Sequence, residues 1–440
     1  MSAHHQPLYI IAAHGGAGYH PPASDSSLKR SLRAAISSAL PAFSGTTTHS
    51  SSTSSGGSIS ETPSSALDAT TAVIVALEDD PDFNAGYGSN LTFDGQVECD
   101  ASLMLSTEEG RPSPPSPSSS PSFSFSFGSV GAVRGVRNPV LLARCVLEGR
   151  RRPEREREKG LGMGMGMGMG RVPPLMLVGE GAVQFARERG ARVGDTPLEE
   201  MVAPRARQEW RVWRERCRRW EDDDGRGDGD FESSKDLSLG ELEAAELEPE
   251  PLRVRLDTVG AVALVGEARD IGQLPEVAAG VSSGGILLKH SGRVGEAAVF
   301  GSGCWAERSA SGRSVACSVS GQGELIMQSF LAKSLAERTA ASTEGDTHEI
   351  LRSVLVDQFY GKWNQRGEHQ PAVGVLLLTQ GVDGDEDTAR LWCAFTTQSM
   401  AVAYASSRHP KPKARVLRNT EHDFSNDDGR PPLLITTLPC

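Results

Sequence analysis

The pair Asp257-Thr258 lies in RLDTVGAVALV, where an acidic, core-poor stretch gives way to an apolar run. Thr258 therefore opens an expected strand just behind a long tether. If the Asp257–Thr258 peptide bond breaks, Thr258 gains a free α-amine beside its own hydroxyl. That is an N-terminal threonine nucleophile carrying its own base. An α-amine titrates near about 7.7–8.0 in model peptides, so it can accept a proton at neutral pH. A threonine at the head of a strand also follows from ordinary β-propensity, and Thr258 alone leaves both readings open.

Other polar residues follow at informative places. Ser282 and Ser283 end a second apolar run and precede two glycines, which let backbone approach a ligand closely. Arg293 lies between Gly292 and Gly295, so it is expected to project from a tight turn. A guanidinium there suits a bidentate grip on a carboxylate, although a solvated surface charge is the plainer reading. The run from Ser318 through Ser320 and Gly321 to Glu324 places hydroxyl and glycine N–H donors just before an expected helix. Such donors suit an oxyanion site, or equally an N-cap made by Ser318 or Ser320.

Composition bounds what these residues can belong to. The chain has 440 residues with 38% hydrophobic and only 5% aromatic content, diluted by low-complexity inserts. A net charge of −12 argues against non-specific nucleic-acid binding by the whole chain. The seven cysteines are scattered and odd in number, with neither zinc spacing nor a disulfide framework. His20 and His290 have no ligand cluster around them in sequence, so no metal catalyst is expected. No charged n-region precedes LYIIAA, and no run of eighteen apolar residues exists. The expectation is a reduced, soluble, intracellular protein of the cytoplasm, the nucleus or both.

The elements that must position the chemistry alternate strand and helix. A buried strand is expected over 8–13, ended by a glycine-rich turn at 14–18, then helices over 28–40 and from Ala66 to Asp79, the latter stopped by Pro81. A loop, 84–104, leads into a strand. A strand, a turn at Asn138-Pro139 and a helix follow, then a strand and an amphipathic helix over 173–190. Inserts are expected near 44–65, 105–126 and 150–171, too poor in core-forming residues to pack. Residues 191–256 read as a charged, largely unpacked tether, helical at most in its basic part. The basic run 205–220 reads as an import or partner-binding segment, or as an exposed helix or linker balanced by the acids that follow. Beyond Thr258 come strands over 258–265 and 276–283, helices near 323–341 and 347–362, and strands over 372–379 and 390–397. Neither 1–257 nor 258–440 has enough strands to close a core, so both halves are expected to build one α/β domain.

Taken together, HGGAGYH (14–20), LEDDPDFNAGYGSN (77–90), ECDASLM (98–104), NPVLLA (138–143), PPLMLVGEGA (173–182), LDTVGAVA (256–263), SSGGILLKHSGRVG (282–295) and GSGCWAE (301–307) resemble the plant-type asparaginase family of N-terminal nucleophile hydrolases. Within it they look most like the threonine aspartases. The resemblance implies a four-layer αββα sandwich and self-cleavage between Asp257 and Thr258. It casts Thr258 as nucleophile, Ser283 as its hydrogen-bond partner and Asn84 as a neighbour. It gives Arg293 the substrate's aspartate carboxylate, and gives Ser320 and the Gly321 N–H the substrate and oxyanion contacts. No cofactor is implied, apart from a structural sodium ion held by carbonyls around Leu77–Tyr87. The expected activity is endopeptidase cleavage after internal aspartates of protein substrates, by a dimer of two-fragment units with no membrane or direct nucleic-acid partner. Glu296 departs from that reading. Asparaginases usually carry an aspartate there to grip a small substrate's amino group, so asparaginase, isoaspartyl dipeptidase or glycosylasparaginase chemistry is the alternative. Leu105-Ser106 replaces the family's usual Asp-Gly, and the insertion at 266–275 lengthens the hairpin between two active-site strands.

Overall fold

The computed structural model describes residues 8–43, 65–108, 123–158, 172–191, 196–224, 258–266, 275–309, 312–342, 346–368, 370–381, 389–420 and 431–440. Asp257 and most of the four inserts fall outside them. The strands are β1 (Leu8–Gly18), β2 (Cys99–Glu108), β3 (Phe123–Val133), β4 (Met176–Val178), β5 (Val259–Gly266), β6 (Glu276–Ser283), β7 (Cys304–Arg308), β8 (Ser314–Gly321), β9 (Val373–Gln380), β10 (Arg390–Phe395), β11 (Ser399–Ser406), β12 (Lys413–Arg418) and β13 (Leu434–Leu438). The helices are α1 (Asp25–Ala39), α2 (Ala66–Glu78), α3 (Pro139–Glu158), α4 (Gly179–Glu188), α5 (Pro204–Asp224), α6 (Gly323–Ser329), α7 (Leu331–Ala341), α8 (Thr347–Arg352) and α9 (Gly361–Asn364), with a π-helical stretch over Ser353–Tyr360.

Two sheets form. The larger runs β12-β11-β1-β5-β6-β2-β3-β4, and the smaller runs β13-β10-β9-β8-β7. Period-2 alternation explains how they stack. In β1, Leu8, Ile10 and Ala12 join a core shared with Val315, Val319 and Leu376 of the smaller sheet. Their alternates Tyr9, Ile11 and Ala13 join a second core with Leu32 and Ile36 of α1 and Ile74 and Leu77 of α2. One face of the larger sheet therefore packs on helices and the other on the smaller sheet. Leu331, Leu335 and Ala336 of α7 close the smaller sheet from its own side. Burying an isoleucine such as Ile74 contributes on the order of 2–5 kcal/mol against its replacement by alanine.

Several elements differ from what their residues suggest in isolation. The glycine-rich 14–18 segment is no turn: β1 continues to Gly18, with its register against β11 shifting between His14 and Ala17. Gly15 is needed because a Cβ there would lie 2.5 Å from Phe83 Cε1. The expected unpacked tether is helical over Pro204–Asp224 and packs on the rest of the fold between Met201 and Trp210. Met201, Ala203 and Ala206 are buried, and Trp210 Nε1 donates to Thr92 O at 3.0 Å. Its aromatics, read as part of a charged run, find a loop to cover. Strands β7, β8 and β11 are not among those expected from the sequence; β7 is only five residues long, and the serines of β8 and β11 read as loop residues. Their polar side chains are buried between the sheets or at their ends, as with Ser314, Ser318 and Ser399.

Ser282 ties the two sides of the larger sheet's helical layer to the site. Its Oγ donates to Glu78 Oε1 at 2.7 Å, and Val140 N donates to the same oxygen at 3.0 Å. Glu78 is fully buried, and burial pushes its carboxyl up to about 8, against the pull of the Ser282 and Val140 bonds. The folded chain thus keeps this proton where an unfolded one has lost it. The resulting stability is fully present below about 4.5 and is lost as pH rises through about 8. Glu78→Gln should match the parent near pH 4, below the unfolded value, and unfold at a higher temperature than the parent at pH 9. Thermal melts at both pH values check this, and an unchanged difference refutes it. Gly128→Ala should cost about 1–3 kcal/mol in chemical denaturation, because a Cβ there would lie 2.3 Å from Leu147 N and 2.4 Å from Ala143 O of α3.

Candidate active site

The site forms where β5 begins. This strand pairs with β1 on one side (His14 opposite Gly260) and with β6 on the other (Val259 opposite Ser282). Thr258 therefore meets Ser283, and only 4% of it is exposed. Its Oγ1 lies 2.6 Å from Glu296 Oε1 and 3.2 Å from Ser283 Oγ. One hydroxyl proton cannot serve both, and the shorter, charge-assisted contact to the carboxylate takes it. Ser283 Oγ in turn accepts from Gly285 N at 3.0 Å.

Acidic residues at the start of β2 build the turn that carries Arg293 and Glu296. Glu98 Oε2 accepts from Gly292 N at 2.7 Å, and Asp100 Oδ2 accepts from Gly295 N at 2.8 Å. Lys289 Nζ donates to Glu98 O at 2.8 Å. Arg293 is not the solvated loop charge that its glycine neighbours suggest. Only 14% of its side chain is exposed, and its Nε donates to Glu324 Oε1 at 2.8 Å. Burial raises the Glu296 carboxyl above its ordinary value, with the Thr258 bond and the Arg293 charge pulling it down. Burial likewise raises Asp100, against Lys289. A Cβ on Gly323 would lie 2.4 Å from Glu296 Oε2 and 2.8 Å from Arg293 Nη2. Those two opposite charges thus face the same small space beside Thr258, and only glycine leaves it open.

The other expected residues stand at different distances from Thr258. Asn84 braces the turn after Ser283: its Nδ2 donates to Gly285 O at 2.8 Å and its carbonyl accepts from Gly284 N at 2.9 Å. Ser320 lies within β8, where its Oγ accepts from Ala17 N at 3.2 Å. Gly321 ends β8 opposite Val373, at φ 148°, with no room for a Cβ against Ala372 O at 2.3 Å. Neither Ser318 nor Ser320 caps α6. Gln322 precedes that helix and makes no side-chain cap bond. Ser318 instead holds His14, with His14 Nε2 at 2.7 Å from Ser318 Oγ, which donates to Gly280 O at 3.2 Å. A Cβ on Gly260 would collide with both side chains. Burial pushes the His14 imidazole down to about 3, so it is neutral beside β5.

Sequence reasoning gave no role to His14, Glu98 or Asp100, and paired neither Ser318 with His14 nor Glu324 with Arg293. His14 and Ser318 are 304 positions apart, and nothing local marks them as partners. In the loop expected to hold sodium, the carbonyls of Asp80, Pro81 and Phe83 converge on Gly88, oxygen donors of the kind hard cations take. Arg205 already serves this loop, its Nε donating to Pro81 O at 3.2 Å and Nη2 to Gly88 O at 3.1 Å. No described helix is long and apolar enough to cross a membrane.

The family model described as Asparaginase matches residues 8–152 and 166–353. A plant-type L-asparaginase of Pyrococcus horikoshii is 30% identical over 352 residues, covering 80% of this chain and 87% of that protein. One of Thermococcus kodakarensis is 33% identical over the same coverage. An isoaspartyl peptidase/L-asparaginase of Rattus norvegicus is 30% identical over 361 residues, covering 82% of this chain and 79% of that protein. A family model that matches over most of the chain, with relatives of 30% identity or more covering 80% of it, shows that the chain belongs to the asparaginase family of N-terminal nucleophile hydrolases.

Proposed function

We propose that this chain matures by cutting its own Asp257–Thr258 bond and then hydrolyses small amides, as an L-asparaginase or isoaspartyl dipeptidase. The observation that carries this reading is the pairing of Glu296 and Arg293 across the space over Gly323, next to Thr258 Oγ1. A buried carboxylate and a guanidinium at that separation complement the ammonium and carboxylate of a free amino acid. The names of the relatives support the same substrate class. Thr258 Oγ1 would attack the amide carbonyl, its own α-amine taking the proton once cleavage has freed it. Ser283 would hold that hydroxyl in line. Ser320 and the Gly321 N–H remain the proposed substrate and oxyanion contacts, and Asn84 would keep the turn after Ser283 in place. We read the two stacked sheets and their flanking helices as the four-layer αββα sandwich, built from both fragments.

Cleavage of protein substrates after aspartate is the second reading. It rests on Asp257 itself, an internal aspartate that the uncut chain presents next to the nucleophile. A site built around Glu296 disfavours it, because an extended chain brings no ammonium to a carboxylate that binding would desolvate.

The two readings separate in one preparation. Values of kcat/KM for L-asparagine and a β-aspartyl dipeptide should exceed that for a peptide with an internal Asp–Xaa bond. The reverse order hands the case to the endopeptidase. Thr258→Ala should remain one uncut chain on a denaturing gel. Arg293→Ala should raise KM by roughly 10–100-fold, the value of a charge-assisted hydrogen bond, and Arg293→Lys should recover only part of it. Unchanged KM in the alanine variant refutes the assigned grip.

A further inference from the structure

The mature nucleophile has its own α-amine as base, but the uncut chain does not. Until the bond to Asp257 breaks, the Thr258 nitrogen is an amide and accepts no proton. Self-cleavage nevertheless requires the Thr258 hydroxyl to lose one as it attacks. Some other group has to take it.

The residues around Oγ1 narrow the choice. Ser283 Oγ, at 3.2 Å, is a neutral hydroxyl. His14 is held near 3 by burial, and its Nε2 is engaged by Ser318. Asp100 spends both carboxylate oxygens on Ala132 N and Gly295 N. Glu296 Oε1 lies 2.6 Å from Oγ1, well within the reach that proton transfer needs. We propose that Glu296 accepts the Thr258 hydroxyl proton when the chain cleaves its own Asp257–Thr258 bond. This rests on the reading that the chain self-cleaves there, and gives Glu296 a task that precedes any substrate.

The step balances without a co-reactant other than water. Oγ1 bonds to the Asp257 carbonyl carbon as its proton passes to Glu296 Oε1. The Asp257–Thr258 C–N bond breaks, and Glu296 returns that proton to the leaving nitrogen. An ester now joins Asp257 to Thr258 Oγ1. Water adds to its carbonyl and the ester C–O bond breaks, leaving a carboxyl group on Asp257 and a free hydroxyl and amine on Thr258. Glu296 ends as it began.

The surroundings suit a base. Burial raises the Glu296 carboxyl, which strengthens it as a proton acceptor. The charged groups acting on it are Arg293 on its own turn and Asp100 from β2; behind them Glu324 of α6 pairs with Arg293, and Lys289 acts on Asp100. Arg293 keeps an ionised fraction available, while Asp100 opposes ionisation. Cleavage should therefore accelerate with pH as Glu296 loses its proton, and level off once it is ionised.

The test follows full-length chain from a short pulse of cell-free synthesis, chased at several values between about pH 5 and pH 8. The 258–440 fragment is quantified on denaturing gels, with Thr258→Ala as the uncut control. The parent should cleave faster as pH rises. Glu296→Gln should slow cleavage by about 10²-fold or more, the usual loss when a general base is removed. Glu296→Asp, one methylene short, should fall between them and keep the pH dependence. Cleavage of Glu296→Gln within about threefold of the parent overturns the proposal, as does a flat pH profile in the parent, which needs no variant to fold. A parent chain that never cuts overturns the self-cleavage reading itself.

Discussion

A threonine hydroxyl held 2.6 Å from a buried carboxylate is the contact around which the rest is arranged. An ionised carboxyl in such a place is costly unless charge and hydrogen bonds answer it. Arg293 supplies the charge, and Glu324 fixes Arg293 in turn. The turn that carries both Arg293 and Glu296 is held by Glu98 and Asp100 through backbone N–H groups, and Lys289 holds the backbone carbonyl of Glu98. The environment of Thr258 is therefore set by a strand edge on the far side of β6, and not by its own strand alone.

Helix α2 reaches the same place by another route. Its last residue, Glu78, receives Ser282 Oγ, so the residue beside Ser283 is anchored in the helical layer. The loop that follows α2 then folds back through Asn84 onto Gly284 and Gly285. α5 covers that loop with Arg205 on Pro81 and Gly88 and Trp210 on Thr92. Apart from the side-chain bond between Ser282 and Glu78, each support is a hydrogen bond to backbone, which fixes position with little dependence on what the loop's side chains do.

Much of this was legible in the sequence where local pattern and chemistry coincide. α1 and α2 follow helical spacing, and β5 and β6 are apolar runs that end in hydroxyls. Arg293 was recognisable as a guanidinium in a turn, but its burial was not, because Glu324 meets it only after β7 and β8 fold between them. β8 was misread for a physical reason. SVACSVSG looks like a loop when serines count as solvent-seeking, yet these hydroxyls are buried among partners that only the tertiary fold supplies. The 14–18 segment misled in the same way. Its glycines signal a turn, whereas Gly15 lets Phe83 press against a continuing strand and Gly16 takes the positive φ where the register shifts. In α5, charge outweighed pattern: Ala206 and Trp210 carry the packing face, and the arginines around them read as a tether.

The position of β5 between β1 and β6 has a kinetic meaning. Chain termini are ordinarily the most mobile part of a domain. A terminus created at Thr258 would emerge from a strand laddered on both sides, with His14 facing Gly260 and Ser282 facing Val259. Its freedom to rotate and drift would already have been surrendered in folding. A reactant held in that way behaves as though present at very high effective molarity, and that advantage is worth several orders of magnitude in rate before any group polarises a bond.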